Sequence, residues 1–224
     1  MTELFAARLP DVDTDQLLFL KSHTLNSYYR AKVMRYRHTQ AKLRALTAAL
    51  LLANVVNNYS QVNFTQAVIT ENEYGKPDIA GLPDFHFNLS HSGSWVVCAI
   101  DNSPLGVDVQ EICQRTDLEI AERFFSAREA SALRVIPEHR QRDLFFTLWA
   151  LKESFIKAEG KGLSLALDSF AFDVAETIGL VANESTQDWR FRLYDLQADY
   201  KLALCLEHDR FPKLRDWSEK ITNY

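Results

Sequence analysis

The sequence predicts a mixed α/β (α+β) protein built from two similar lobes. Three observations carry this. Each half contains a long apolar helical stretch, one ending near Val56 and one running on from Pro137. Each helix is followed by a Gly-Lys turn, Gly75-Lys76 in the first half and Gly160-Lys161-Gly162 in the second. Each half then closes on a strand-turn-strand unit, FHFNLSHSGSWVVCAI and WRFRLYDLQADYKLALCL. Asn102, Ser103 and Pro104 punctuate the boundary between them. The expected lobes are therefore residues 1–103 and 104–224, the second with a C-terminal extension. Ligands usually bind in clefts between lobes, and Asp108 falls at that seam.

Composition narrows the function classes. A chain of 224 residues, 47% hydrophobic and 12% aromatic, is long enough for one large domain or two small ones and reads as a packed globule. With 25 Lys and Arg against 30 Asp and Glu, the net charge of −5 gives no global signal for nucleic acid. An anionic ligand must then be held by a local basic cluster. Cys98, Cys113 and Cys205 have no metal-like spacing and read as buried thiols of a reducing compartment. The opening residues lack the basic-then-apolar order of a signal peptide, and Ala45 to Val56, broken by Thr47 and Asn54, is too short to span a bilayer. A cytoplasmic protein with no membrane partner is expected.

In chain order, a polar, acidic opening leads into a segment from Thr24 to Val56 that is basic first and apolar second. Arg30, Lys32, Arg35, Arg37, His38, Lys42 and Arg44 lie in it, and LRALTAALLLANVV reads as a buried helix. A basic run is commonly a solvated helix face, but this one is concentrated within an acidic chain. Asn57 to Ser60 reads as a loop, Val62 to Thr70 as a strand or irregular edge, and residues 73–78 as a turn. In the strand-turn-strand unit from Phe85, the apolar Phe85, Phe87 and Leu89 alternate with His86 and Asn88, and a turn carries Ser90 and His91. GVDVQ at 106–110 is a strand whose period of two puts Gly106, Asp108 and Gln110 on one face. Residues 117–134 read as helix broken at Ser126, where Ser126 and Glu129 form an S-x-x-E capping box. Three strands follow the long helix, at 166–174, 189–194 and 200–206, and the residues after Pro212 read as a surface extension.

The long helix ends in WALKESFIKAEGKGL, from Trp149 to Leu163. At about 100° per residue, Leu148, Leu151, Phe155 and Ala158 share one stripe, with Phe145, Phe146, Trp149 and Ile156 opposite. A helix apolar on two sides is sandwiched between layers. Glu153 and Lys157 nonetheless stand within its second side. The spacing fits a simple i,i+4 ion pair as well as a carboxylate that holds a metal or takes a proton beside a lysine that meets a phosphate.

EYGKP, FHFNLSHSGSW, GVDVQ, RFFSAREA and LWALKESFIKAEGKGLSLALDSF, between Tyr74 and Phe170, together resemble the surfactin-type 4′-phosphopantetheinyl transferase family in order and spacing. The resemblance implies two α/β lobes in pseudo-twofold relation with coenzyme A and Mg²⁺ between them, Mn²⁺ being the alternative ion. It implies transfer of phosphopantetheine from coenzyme A to a carrier-protein serine, with adenosine 3′,5′-bisphosphate released. Carried over, Asp108 and Glu153 are metal ligands, Glu153 also receives the serine proton, directly or through a metal-bound water, and Lys157 stabilises charge on the leaving group. Lys76, Ser90 and His91 match positions that hold the adenosine and phosphate end of coenzyme A. Lys32 and Arg44 match basic residues near its 3′-phosphate. Trp149 is expected to pack, and the role of Lys152 is open. Ile112 to Phe125 corresponds to the carrier-docking segment, with Leu118 or Phe124 exposed.

The chain departs from the resemblance at Gln110, where many bacterial members have a second acid. Gln110 is retained as a metal-ligand candidate, through its amide oxygen or with a water filling in between, in a weaker or more metal-tolerant site. Two other readings fit the bare chemistry: a metal-dependent phosphodiester hydrolase, with water in place of the serine, and a non-catalytic module that binds coenzyme A or a carrier. Because both lobes lie in one chain, a monomer is expected.

Overall fold

The computed structural model of the chain describes residues 1–181, 185 and 187–222. In the first lobe, β1 (Glu3–Arg8) is followed by α1 (Thr14–Lys21), α2 (Ser27–Met34) and α3 (Thr39–Tyr59), and then by β2 (Ile69–Glu71), β3 (Pro77–Ile79), β4 (His86–Ser92) and β5 (Trp95–Asp101). In the second, β6 (Leu105–Glu111) precedes α4 (Ala121–Phe124), α5 (Ala127–Val135) and α6 (Glu138–Glu159). The chain continues through β7 (Ala171–Val174), β8 (Ile178–Val181), β9 (Arg190–Tyr194) and β10 (Tyr200–Leu206), and closes with β11 (Leu214–Asp216) and α7 (Ser218–Thr222). The mixed α/β class expected from the sequence is what forms.

Two sheets organise the molecule, one ordered β11-β1-β5-β4 and the other β6-β10-β9. All seven residues of β5 are buried because both of its faces are covered. Val96, Cys98 and Ile100 face the core under α3, whereas Trp95, Val97 and Ala99 pack with Val107, Val109, Leu202 and Leu204 of the other sheet. The second sheet turns its other face, including Ala203 and Cys205, to the core containing α6. Each lobe is thus a helix on a sheet, and the sheets meet through a shared apolar layer. At about 25 cal/mol per Å² of buried apolar surface, that layer is what holds the lobes in register.

The seam has a polar edge as well. Strands β4 and β6 lie side by side without a backbone ladder between them. Instead Asn88 Oδ1 accepts from the Val107 N–H at 2.9 Å, Ser90 Oγ from Val109 at 3.3 Å and Ser92 Oγ from Glu111 at 2.9 Å. Alternation along β4 aims these three polar side chains at β6 while Phe87 packs into the first core. A buried N–H left without an acceptor is costly, so the polar residues satisfy an edge that would otherwise be orphaned.

Several expectations are revised here. The opening residues are not merely a polar lead-in: β1 lies inside the first sheet, with Leu4 to Ala7 fully buried. The segment after Pro212 is not a surface extension, because β11 pairs in parallel with β1 and Trp217 and Ile221 enter the first core. Ser90 and His91 belong to β4 itself, and the turn follows at Gly93. Residues 62–70 form a 3₁₀ turn and one short strand, which pairs with β3, and β8 was not anticipated. Cys98 and Cys205 are buried as expected, whereas Cys113 is exposed. Within the described residues no helix is long and apolar enough to cross a membrane.

Candidate active site

The site is built where β6 passes under α6. Gly106, Asp108 and Gln110 turn toward the helix, as the period of two requires. A Cβ on Gly106 would stand 1.9 Å from the Ser154 carbonyl oxygen and 2.5 Å from the Ala158 nitrogen. Only glycine lets helix and strand backbones approach so closely, and that approach brings Lys157 onto Asp108.

Asp108 is 2% exposed, and both of its carboxylate oxygens have donors. Oδ1 accepts from Lys157 Nζ at 2.6 Å and from Ser90 Oγ at 2.8 Å, and Oδ2 accepts from Gln110 Nε2 at 2.7 Å. Lys157 Nζ also donates to Ser90 Oγ at 3.0 Å and to the Val107 carbonyl at 3.2 Å. Lys157 therefore does not form the simple i,i+4 ion pair: its carboxylate is Asp108, across the helix–strand interface. Glu153 is half-buried and has no hydrogen bond to a described residue. Its pKa is raised, first by desolvation and then by the Asp108 charge, with Lys157 opposing.

Two cavities meet at Lys157. One, of about 300 Å³, is lined by Tyr29, Lys32 and Tyr36 of the first lobe together with Ser90, His91, Asp108, Gln110 and Lys157. The other, of about 240 Å³, is lined by residues 74–77, Asn88, Glu153, Lys157 and Gly160. The structure thus brings Lys32, Ser90, His91, Asp108, Gln110 and Lys157 into one hollow and Lys76 and Glu153 into its neighbour. Arg44 lines neither; its guanidinium donates to the Gly93 carbonyl at 3.4 Å. His91 sits at the lip of the cleft with its pKa lowered, chiefly by lost solvation and also by the charges of Lys157 and Arg44.

Among the described residues no group of three His, Cys, Asp or Glu side chains is placed to hold a metal ion. The candidate metal-ligating side-chain oxygens near Lys157 are the carboxylates of Asp108 and Glu153 and the amide oxygen of Gln110. Two carboxylates completed by substrate phosphates and water make a typical Mg²⁺ set, so the donors fit a hard divalent cation.

Residues 104–205 match the family model described as the 4′-phosphopantetheinyl transferase superfamily, and residues 13–103 match that of the 4′-phosphopantetheinyl transferase N-terminal region. The 4′-phosphopantetheinyl transferase Sfp of Bacillus subtilis (strain 168) is 40% identical over 186 residues, which is 82% of this chain and 83% of the relative. This chain belongs to the 4′-phosphopantetheinyl transferase family. Two further phosphopantetheinyl transferases agree: ffp of Bacillus subtilis at 39% identity, covering 92% of this chain and 90% of its own, and gsp of Aneurinibacillus migulanus at 34%, covering 92% and 86%.

Within this transferase, the residues left open by sequence find their places. Trp149 packs among Phe124, Phe125 and Phe145 at ring-centroid distances of 6.3, 5.9 and 5.6 Å. Lys152 is fully buried and donates to the carbonyls of Leu167 at 2.8 Å and Phe170 at 2.7 Å, with Glu129 Oε2 at 2.8 Å. Glu129 is the expected capping-box acid, and Ser126 does cap α5. Its added role as the partner of Lys152 was not foreseen, because the two stand 23 residues apart in the chain. Tyr29 and Tyr36 were likewise not singled out. Their signal was their interleaving with basic residues, Tyr29 beside Arg30 in α2 and Tyr36 between Arg35 and Arg37 just after it.

Proposed function

We propose that this transferase moves the 4′-phosphopantetheine arm of coenzyme A onto a serine of an apo carrier protein and releases adenosine 3′,5′-bisphosphate. The observation that carries the reading is the Asp108–Lys157 pair, set between two cavities with the uncommitted carboxylate of Glu153 beside it. Lys32, Ser90 and His91 in the first cavity, Lys76 in the wall of the second, and Arg44 behind the β4–β5 turn are the proposed surroundings of coenzyme A. Asp108 and Glu153, with the Gln110 oxygen, would hold Mg²⁺ or Mn²⁺, which when bound neutralises charge on the pyrophosphate.

The chain's own residues account for the proton and the charge. As the carrier serine oxygen bonds to the phosphorus of the pantetheine arm, its proton passes to Glu153. The bond from that phosphorus to the oxygen of the leaving adenosine bisphosphate breaks, and the electron pair goes to that oxygen. A carboxylate with a raised pKa is a better base than an ordinary one, which suits Glu153 to this role. Lys157, lining both cavities, faces the negative charge that grows on the leaving phosphate.

The segment from Ile112 to Phe125 is the proposed carrier surface, with Phe124 at 41% exposure as its apolar contact and Leu118 partly packed inward. Carriers of fatty-acid, polyketide or nonribosomal-peptide synthesis are the partner class. A cytoplasmic monomer is proposed, and a stable trimer in size-exclusion chromatography would contradict that part. Incubation with coenzyme A, Mg²⁺ and an apo carrier is expected to add one phosphopantetheine to the carrier mass, and none when the carrier serine is alanine. Phosphopantetheine released without a carrier would instead mean hydrolysis, and binding of coenzyme A without turnover would mean a binding module.

Gln110 supplies a sharper test. Its amide donates to Asp108 Oδ2 at 2.7 Å, so Gln110→Glu replaces that donor with a second carboxylate, whose added negative charge a bound cation offsets. The variant is expected to bind Mg²⁺ about tenfold more tightly, read as a shift in the Mg²⁺ dependence of the rate. An unchanged Mg²⁺ titration would remove Gln110 from the metal set.

A further inference from the structure

We infer that the Lys76 side chain is a positioning residue that clamps the end of α6 to the lobe seam, leaving its backbone and stem as the wall of the second cavity. Lys76 Nζ donates to the Leu105 carbonyl at 3.1 Å and to the Ala158 carbonyl at 3.2 Å. Leu105 opens β6, three residues before Asp108, and Ala158 follows Lys157 in the last turn of α6. One ammonium thus ties the first lobe to both elements that carry the reacting groups.

The loop that presents Lys76 is braced for this. Asn72 Oδ1 accepts from the N–H groups of Tyr74 at 3.0 Å and Lys76 at 2.9 Å, and the Asn72 N–H donates to the Lys76 carbonyl at 3.0 Å. Asn72 Nδ2 then donates to the Gly160 carbonyl at 2.8 Å. The last four carbonyls of a helix have no partner within it. Here the carbonyls of Ala158 and Gly160 are both met by the first-lobe hairpin, and a cation at a helix C-terminus is favourable in its own right. Gly160 ends the helix at φ 70°, and a Cβ there would lie 3.2 Å from both Asn72 Nδ2 and Lys76 Cδ. Burial lowers the Lys76 pKa to about 8, while Cys205, Asp78 and Glu159 act in the other direction.

The clamp sets where α6 stands relative to β6, and so the approach of Glu153 and Lys157 to Asp108. This rests on the proposed transfer for its kinetic readout only. Lys76→Met removes the donors and keeps the stem. It is expected to lower kcat about tenfold or more, as a small misplacement of reacting groups does, with the KM for coenzyme A within about twofold of the wild type. Lys76→Arg, which retains donors, is expected to recover most of kcat. In the coenzyme A-free protein, hydrogen exchange at the amides of residues 156–162 is expected to quicken in Lys76→Met and not in Lys76→Arg. Asn72→Ala should quicken the same amides to a smaller extent, and decides the matter if Lys76→Met does not fold. A KM for coenzyme A raised about tenfold in Lys76→Met, with kcat and helix-end exchange unchanged, would make Lys76 a substrate ligand and overturn the clamp. Unchanged exchange in Asn72→Ala would overturn it as well. A wild-type protein that modifies no carrier would sink the proposed transfer and leave the exchange experiment standing.

Discussion

Glu153→Gln is expected to lower kcat by about two to four orders of magnitude, the usual worth of a positioned general base, while raising the thermal stability of the substrate-free protein. The opposite signs come from one fact. Glu153 is half-buried beside the Asp108 carboxylate, with Lys157 committed to Asp108 at 2.6 Å. Desolvation and the Asp108 charge raise its pKa above the ordinary value. A carboxyl whose folded pKa lies above its unfolded one binds more protons when folded, so stability declines as pH rises from the unfolded value through the folded one. At neutral pH the ionised Glu153 is a net cost, and glutamine of nearly the same shape removes it. Thermal melts from below the ordinary carboxylate pKa up to neutrality should show the variant's advantage growing as Glu153 ionises and then levelling above its raised folded pKa. The acidic limb of the wild-type kcat profile should vanish in the variant. A residue that only supported the helix would lose stability and rate together, and a variant retaining the wild-type rate would end the role of Glu153 as base.

Much of this site was legible in the sequence because it rests on periodicity and glycine. The period of two in GVDVQ placed Gly106, Asp108 and Gln110 on one face, and the helical period placed Glu153 and Lys157 on another. What the periods do not encode is which charge meets which. The i,i+4 spacing of Glu153 and Lys157 offers a pair within the helix, yet Gly106 lets the strand come so close that Asp108 becomes the nearer partner. The first strand was missed because ELFAAR is buried on both faces and shows no alternation, and six residues are too few to be distinguished by composition. The return of β11 to β1 joins residues about 210 apart in sequence, with Leu214 beside Leu4. Leu214, Trp217 and Ile221 were its apolar clues. Lys76 illustrates the opposite limit: its motif marks the turn, but only the fold shows the two carbonyls that its ammonium meets.

Lys152→Met is expected to destabilise the protein by about 3–5 kcal/mol, the cost of breaking a buried ion pair by removing one partner. The lysine is fully enclosed, and its three donors are used on Glu129 and the carbonyls of Leu167 and Phe170. The Phe170 ring lies 4.3 Å from the ammonium. Burial lowers the Lys152 pKa, and the Glu129 charge works against that shift. Methionine fills the volume but leaves Glu129, 2% exposed, without its counter-charge. Glu129 also accepts from the Phe172 N–H at 2.9 Å and caps α5 through Ser126, so one lost ammonium loosens α5, the 167–170 turn and β7 together. Because the cost is an uncompensated carboxylate, Lys152→Met combined with Glu129→Gln should be less destabilised than the sum of the two single variants, by about 1–3 kcal/mol of coupling in urea unfolding. Strict additivity would show that the pair contributes nothing beyond packing. Unfolding and pH-rate profiles together separate the two charged residues of the KE dipeptide: Lys152 variants should lose stability and keep the acidic limb of the rate profile, whereas Glu153→Gln should lose the limb and gain stability. Adjacent on one helix, they serve different ends because the helix turns one inward to the carbonyls of its own lobe and the other outward to the cleft.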